Sequence, residues 1–220
     1  MDNFANTNFL VKTKKGKPPA DESSGGVYKS RNLKKHQLQN TWTLWFLEYD
    51  ASKSWEDLLS EVDSFSTVED FWRTYYRIKP PSKPKSGCDY MLFKKGIRPM
   101  WEDPSNIKGG RWLNVVDNTS KADLDIIWLD VMLCLIGEAC DHCDQICGAS
   151  IRIRRKVKKV SIWTNNGKDE EAILEIGHKL CELVRLGSSY TLQYQGHMEV
   201  FMGSELMYKL KVENGVVTTS

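Results

Sequence analysis

Hydrophobic residues fall in short, closely spaced runs from Gln39 onward. TWTLWFLEYD is dense in aromatic and β-branched residues and reads as a strand; YMLFKK, IRPMW, RWLNVV, SIRIRRK, KVSIWT and YTLQYQ read the same way. Between them the period changes from two to that of a helix. In STVEDFWRTYYRI, Ser66 with Glu69 three residues later forms a capping box ahead of an apolar stripe. SKADLDIIWLDVMLCLIGEA predicts a longer helix with Ser120 and Asp123 as its box, and KDEEAILEIGHKLCELVRLG a third, acidic at its start and closed by Gly187. Strands with helices between them predict an α+β fold, one curved antiparallel sheet with helices on one face. No internal repeat is present.

The first 35 residues lack this patterning. KTKKGKPPADESSGG is rich in Lys, Gly, Ser and Pro, so residues 1–35 are expected to be a disordered basic tail and 36–220 a single domain. No apolar run approaches the roughly 18 residues of a membrane span, and the apolar centre of a secretory signal is missing, which favours a soluble intracellular protein. Six cysteines in that setting favour reduced thiols. A net charge of +2 provides no general attraction for polyanions, so contact with nucleic acid needs a local cluster. Tryptophan is in excess, with eight residues.

SIRIRRKVKKVSIW supplies such a cluster. Alternation sets Ile151 and Ile153 on one face and Arg152, Arg154 and Lys156 on the other; after a turn, Lys159, Ser161 and Trp163 share a parity. A cationic ribbon with an indole suits phosphates beside a stacked base, although a charge-protected edge strand has the same pattern. Trp101 lies against Glu102 in GIRPMWEDPSNIKGGRW, and Trp55 sits on the polar stretch ASKSWEDL. A carboxylate accepts the adjacent N–H donors of guanine, and indoles stack on its ring, more strongly if methylation makes it cationic. Singly, such tryptophans also serve as packing residues. Cys140, His142, Cys143 and Cys147 in CDHCDQIC resemble half a zinc site, yet no second ligand pair follows. The helical spacing of the three cysteines points instead to small thiols. No catalytic triad, metal motif or glycine-rich phosphate loop stands out, so an enzyme is not expected.

KSWED, TVEDFW, GCDY, RPMWED, GGRW, SKADLDIIWLD, LCLIGE, DQICGA and VSIWT, in this order and spacing, resemble the eukaryotic translation initiation factor 4E family, which binds the 7-methylguanosine cap of messenger RNA. The resemblance runs from about His36 to Tyr194 and implies a curved eight-stranded antiparallel sheet with three helices on its convex back. It implies that Trp55 and Trp101 sandwich the cap, Glu102 reads the guanine edge and Trp163 lies near the methyl group. Arg154, Lys156 and Lys159 match phosphate-contacting positions, supported by Arg111. On the dorsal side, it implies that Val68, Trp72, Leu129, Asp130, Leu133 and Gly137, beside His36, Gln37 and Leu38, receive helical peptides of scaffold and repressor proteins. Ser204 aligns with a regulatory phosphorylation site.

The chain departs from the family in several places. Gln37 replaces a proline, which implies a looser backbone by the dorsal groove; Asp130 replaces a glutamate; and the segment GHMEVFMGSELMYKL is shortened, without a recognisable lysine-bearing loop. Arg152 and Arg155 are candidates for compensating charge. These changes suit a divergent paralogue. The resemblance thus implies a monomeric cytoplasmic initiation factor, with the nucleus and mRNA granules as further locations, needing no cofactor and binding capped mRNA and 4E-binding proteins. The alternative is a cap-binding repressor module that favours repressors over the scaffold.

Overall fold

The computed structural model describes residues 34–84, 86–116, 121–198 and 207–219. Most of the expected tail, Ser120 of the second capping box and Ser204 lie outside the described residues. The elements in order are β1 (Gln37–Glu48), α1 (Trp55–Leu58), β2 (Leu59–Thr67), α2 (Val68–Arg77), β3 (Cys88–Lys94), β4 (Gly110–Val116) and α3 (Lys121–Gly137). A 3-10 turn (Cys143–Gln145) then leads to β5 (Ile146–Ile153), β6 (Lys158–Thr164), α4 (Glu170–Leu183), β7 (Ser189–Gly196), β8 (Tyr208–Glu213) and β9 (Val216–Thr219).

All strand pairs are antiparallel in one sheet of order β2-β1-β3-β5-β6-β4-β7-β8-β9. Register breaks in β1/β2 and β5/β6 bend it. β9 is the strand added to the eight that the family resemblance implies. It forms a hairpin with β8 through Asn214 and Gly215, whose φ angles of 50° and 82° match the right-handed twist of the strands they join.

Strand alternation divides the side chains between two environments. Leu44, Tyr90, Leu92, Ala149, Ile151, Val160, Ile162, Trp112, Leu192 and Leu210 join one large core with Phe71 of α2, Ile127, Trp128, Val131 and Leu135 of α3, and Ile173, Ile176 and Leu180 of α4. Those three helices therefore share one side. Trp112 donates its indole N–H to the carbonyl of Ile173 at 2.9 Å. Gly177 permits the close approach, since a Cβ there would stand 2.5 Å from the Trp112 ring. On the other face, Leu47, Met91, Phe93, Cys147 and Trp163 form a smaller cluster that no long helix covers.

Three local expectations are corrected. Residues 97–101 form turns rather than a strand: Pro99 has no N–H for a ladder, and Ile97 and Met100 donate to the carbonyls of Lys94 and Arg98. The cap of α2 is Thr67, not Ser66; its hydroxyl accepts from Asp70 N at 3.1 Å, leaving Glu69 to bond His36. Finally, α4 ends at Leu183, before Gly187, with Val184 N–H closing the last turn on Leu180.

Candidate cap-type pocket and dorsal face

A cavity of about 350 Å³ opens over the smaller cluster, within the size range of small-molecule pockets. Trp55, Glu56, Pro99, Met100, Trp101 and Glu102 line it from the loops, and Asp89, Met91, Arg111, Ser150, Arg152 and Trp163 from the strands. Trp55 opens α1, whose single turn is capped by Ser54 accepting from Asp57 N, and the residue is 39% exposed. Trp101 is half-buried against the cluster. Glu102 is exposed, and no described residue donates to its carboxylate or pairs with it. The structure thus brings both predicted indoles and the predicted carboxylate to one cavity.

Two side chains that sequence reasoning passed over hold this loop in place. Asp103 accepts from the backbone N–H of Arg98 and of Ser105, both at 2.9 Å. Asn106, fully buried, donates to the carbonyls of Arg98 at 3.0 Å and Met100 at 2.8 Å, just ahead of Trp101. The turn signal DPSN was available, yet which of its side chains face inward is set only by loop closure.

Cations surround the floor. Trp163 packs edge-on against Phe93 and lies 4.5 Å from the His197 ring, with the Arg111 guanidinium carbon 6.0 Å from its centroid. Burial, then the nearby charge of Arg152, hold the Arg111 pKa below its usual value. Burial and then Arg111 push the His197 imidazole down to about 4, so it is neutral at physiological pH. Arg152 and Arg154 converge on the buried carboxylate of Asp89, Arg152 at 3.4 Å. Arg154 also donates to the carbonyls of Cys88 and Ile153, which turns its charge inward. Arg152 lines the cavity, whereas Arg154, Lys156 and Lys159 do not; Lys156 lies exposed in the β5–β6 turn beside Arg155, and Lys159 pairs across the ladder with Arg152. Asp89, a charge inside the apolar run CDYMLF, was the sequence signal for this clamp.

On the helix side, Trp72 is half-buried, flanked edge-on by Phe71 and stacked on Tyr76 at 5.7 Å. Val68 and Leu129 are half-buried too, and Leu133 and Gly137 are exposed on α3. His36 accompanies them: its backbone N–H and its ring bond the Glu69 carboxylate at 3.0 and 2.7 Å, and its carbonyl accepts from Val68 N. The chain beside Gln37 is therefore tied to the start of α2, with Leu38 packed on the core. Asp130 differs from its expected role in being buried, its carboxylate held by Arg185.

Cys140 and Cys143 are joined in a disulfide, contrary to the expected free thiols. The expected helical continuation is also absent, since α3 stops at Gly137, Cys143 opens the 3-10 turn and Cys147 lies in β5. Cys147 is free and buried, and burial pushes its thiol up to about 12.

The family model of eukaryotic initiation factor 4E matches residues 37–209. Eukaryotic translation initiation factor 4E1 of Drosophila melanogaster is 60% identical over 174 residues, 79% of this chain and 67% of its own length. Among solved structures, Ascaris suum eIF4E-3 in complex with an m2,2,7G cap is 44% identical with a TM-score of 0.72, covering 74% of this chain and 92% of that one. Caenorhabditis elegans eIF4E-3 in complex with the 4E-binding protein Mextli and a cap analog is 42% identical with a TM-score of 0.73, covering 77% and 96%.

Proposed function

The chain belongs to the eukaryotic initiation factor 4E family, and from that premise we propose that it binds the 7-methylguanosine cap of mRNA and recruits helical segments of scaffold and repressor proteins to translation initiation. The observation that carries the reading is the convergence of Trp55, Trp101 and the Glu102 carboxylate, which has no partner among the described residues, on one cavity with Arg111 and Arg152 at its side. A methylated guanine is a flat cation with two adjacent N–H donors. Two indoles supply faces for the ring and its charge, Glu102 accepts the donors, and the cations meet the triphosphate. Trp163 forms the wall for the methyl group. Arg154 acts as a strut through Asp89, and Lys156 and Lys159 extend the positive rim. Tryptophan fluorescence titration tests the reading: 7-methylguanosine triphosphate is expected to quench strongly and to bind more tightly than unmethylated GTP at low salt. Equal or absent quenching by the two would overturn it.

The dorsal set from His36 through Gly137 is the partner surface in this reading, with the complex of C. elegans eIF4E-3 and the 4E-binding protein Mextli as its support. A second function, a module that favours repressors over the scaffold, draws support from one observation, the engagement of Asp130 by Arg185. Competition between scaffold and repressor peptides on the purified chain separates the two. We further take the protein to be a monomeric binding protein rather than an enzyme, acting in the cytoplasm, with 36–220 as the binding domain.

A further inference from the structure

Ile126, Asp130, Leu133 and Gly137 follow one another on α3 at i, i+4, i+7 and i+11, which sets them on one side of the helix. Ile126 and Leu133 are each 38% exposed, and a Cβ on Gly137 would meet nothing within 4 Å. This is an apolar surface with a charge in its middle. The charge is not the one that residue identity suggests. The Asp130 side chain is only 8% exposed, and Arg185, just past the end of α4, fills its carboxylate: Nε at 2.8 Å, Nη2 at 2.7 Å and the backbone N–H at 3.2 Å. The Arg185 side chain is 70% exposed. A guanidinium has five N–H donors in a planar fork, and the two-point contact with Asp130 leaves its other edge facing water.

We propose that Arg185 converts the acidic position of this surface into a basic one, so that the preferred partner is an amphipathic helix carrying a carboxylate over Arg185 between apolar anchors for Ile126 and Leu133. The proposal rests on the dorsal reading given above and adds the charge of the ligand. A basic side chain on the incoming helix gains nothing from Asp130, because it must first displace a bidentate pair that also fastens the chain after α4 to α3. An acidic one meets open donors and leaves that pair intact. Position matters as well as charge: a cation at the C-terminal end of α4 is already favoured by the helix dipole, so Arg185 keeps its place in the free protein.

The test uses two helical peptides identical in their apolar anchors and differing only by Glu or Arg at the position facing Arg185, measured by fluorescence anisotropy on the full chain. The wild-type chain is expected to bind the Glu peptide about tenfold more tightly, the size of a well-oriented charge contact at an interface. Arg185→Ala is expected to erase or invert that ratio by uncovering Asp130, and Arg185→Lys to retain part of it. A wild-type preference for the Arg peptide, or an unchanged ratio in Arg185→Ala, overturns the proposal. Trp72→Ala separates the two levels. If both peptides bind and Trp72→Ala weakens both while the charge ratio fails as described, only the role of Arg185 falls. If neither peptide binds, or Trp72→Ala weakens neither, the dorsal reading falls with it.

Discussion

Asn106 does not itself line the cavity, yet its replacement by alanine should weaken cap binding. Its amide donates to the carbonyls of Arg98 and Met100, just ahead of Trp101 and Glu102. Each bond contributes about 1 kcal/mol net, and both carbonyls keep a second donor, from Met100 N and Asp103 N respectively, so no large desolvation cost is added. The loop in Asn106→Ala is thus looser by about 2 kcal/mol. Whatever share of that ordering the ligand must restore on binding is subtracted from affinity, so the ceiling is a loss of roughly 30-fold. Titration of 7-methylguanosine triphosphate by tryptophan quenching measures it, and amide hydrogen exchange over residues 97–107 reports the loosening directly. Asn106→Asp should be at least as damaging, because a carboxylate cannot donate to either carbonyl. A folded Asn106→Ala protein with faster loop exchange and wild-type affinity would refute the link between loop order and binding; unchanged exchange would refute the pinning itself.

Trp101→Ala removes one stacking face, a loss of roughly 1 to 3 kcal/mol in cap affinity, and should shrink the preference for methylated guanine; Glu102→Ala should cost as much while weakening methylated and unmethylated ligands alike. Titration of the two ligands on each variant checks the contrast. His197 makes stability depend on pH: the unfolded imidazole takes up a proton below about 6.5 while the folded one resists to about 4, so protons favour unfolding between these values. Stability present above pH 6.5 should therefore fall by up to about 3 kcal/mol as pH drops toward 4, a slope that urea unfolding should find flattened in His197→Gln. Reducing the Cys140–Cys143 disulfide opens only a short loop, so it should lower unfolding free energy by no more than about 2 kcal/mol, read as a shift in melting with and without dithiothreitol.

Much of the sheet was legible because β1, β3, β4, β5, β6 and β7 are buried on both faces or alternate cleanly. β2 was not, since LSEVDSFST commits only Phe65 and Thr67 to the interior and takes its conformation from pairing along β1. β8 could have been read: in YKLKVE, Leu210 and Val212 face the core, Lys209, Lys211 and Glu213 take the other face, and Asn-Gly marks the turn to β9. IRPMW misled because hydrophobicity outweighed the missing N–H of Pro99. In the pocket, lining residues such as Trp101 and Glu102 carry their chemistry openly. Those that hold them, such as Asn106, acquire their roles only from three-dimensional closure. Asp130 is the same lesson inverted, since its partner Arg185 lies 55 positions away in the chain.

The division of the core also bears on how one chain can serve two ligands. Met91 and Phe93 belong to the cluster beneath the cavity, while Tyr90 and Leu92, their neighbours on the same strand, belong to the helix-backed core. Among the described residues no buried side chain is shared between the two clusters, so a perturbation crosses the sheet there through its backbone or around its ends. Backbone ladders are stiff in the plane of the sheet, and cores yield in discrete steps rather than continuously. Substitutions at Trp101 and at Trp72 should accordingly behave as independent sites, each removing its own ligand's contacts. Among the described residues the contacts that join β1 and β3 to the end of α3 and the turn after it are few and specific. Asn40 donates to Glu138 at 2.6 Å, and the ammonium of Lys94 donates to the carbonyls of Cys143 and Asp144. Lys94 ends β3, the strand that carries Met91 of the cavity wall, Asn40 lies on the neighbouring β1, and Glu138 is one residue from Gly137. These bonds give the pocket strands and the end of α3 a polar link beside the apolar core that α3 shares with β1 and β3.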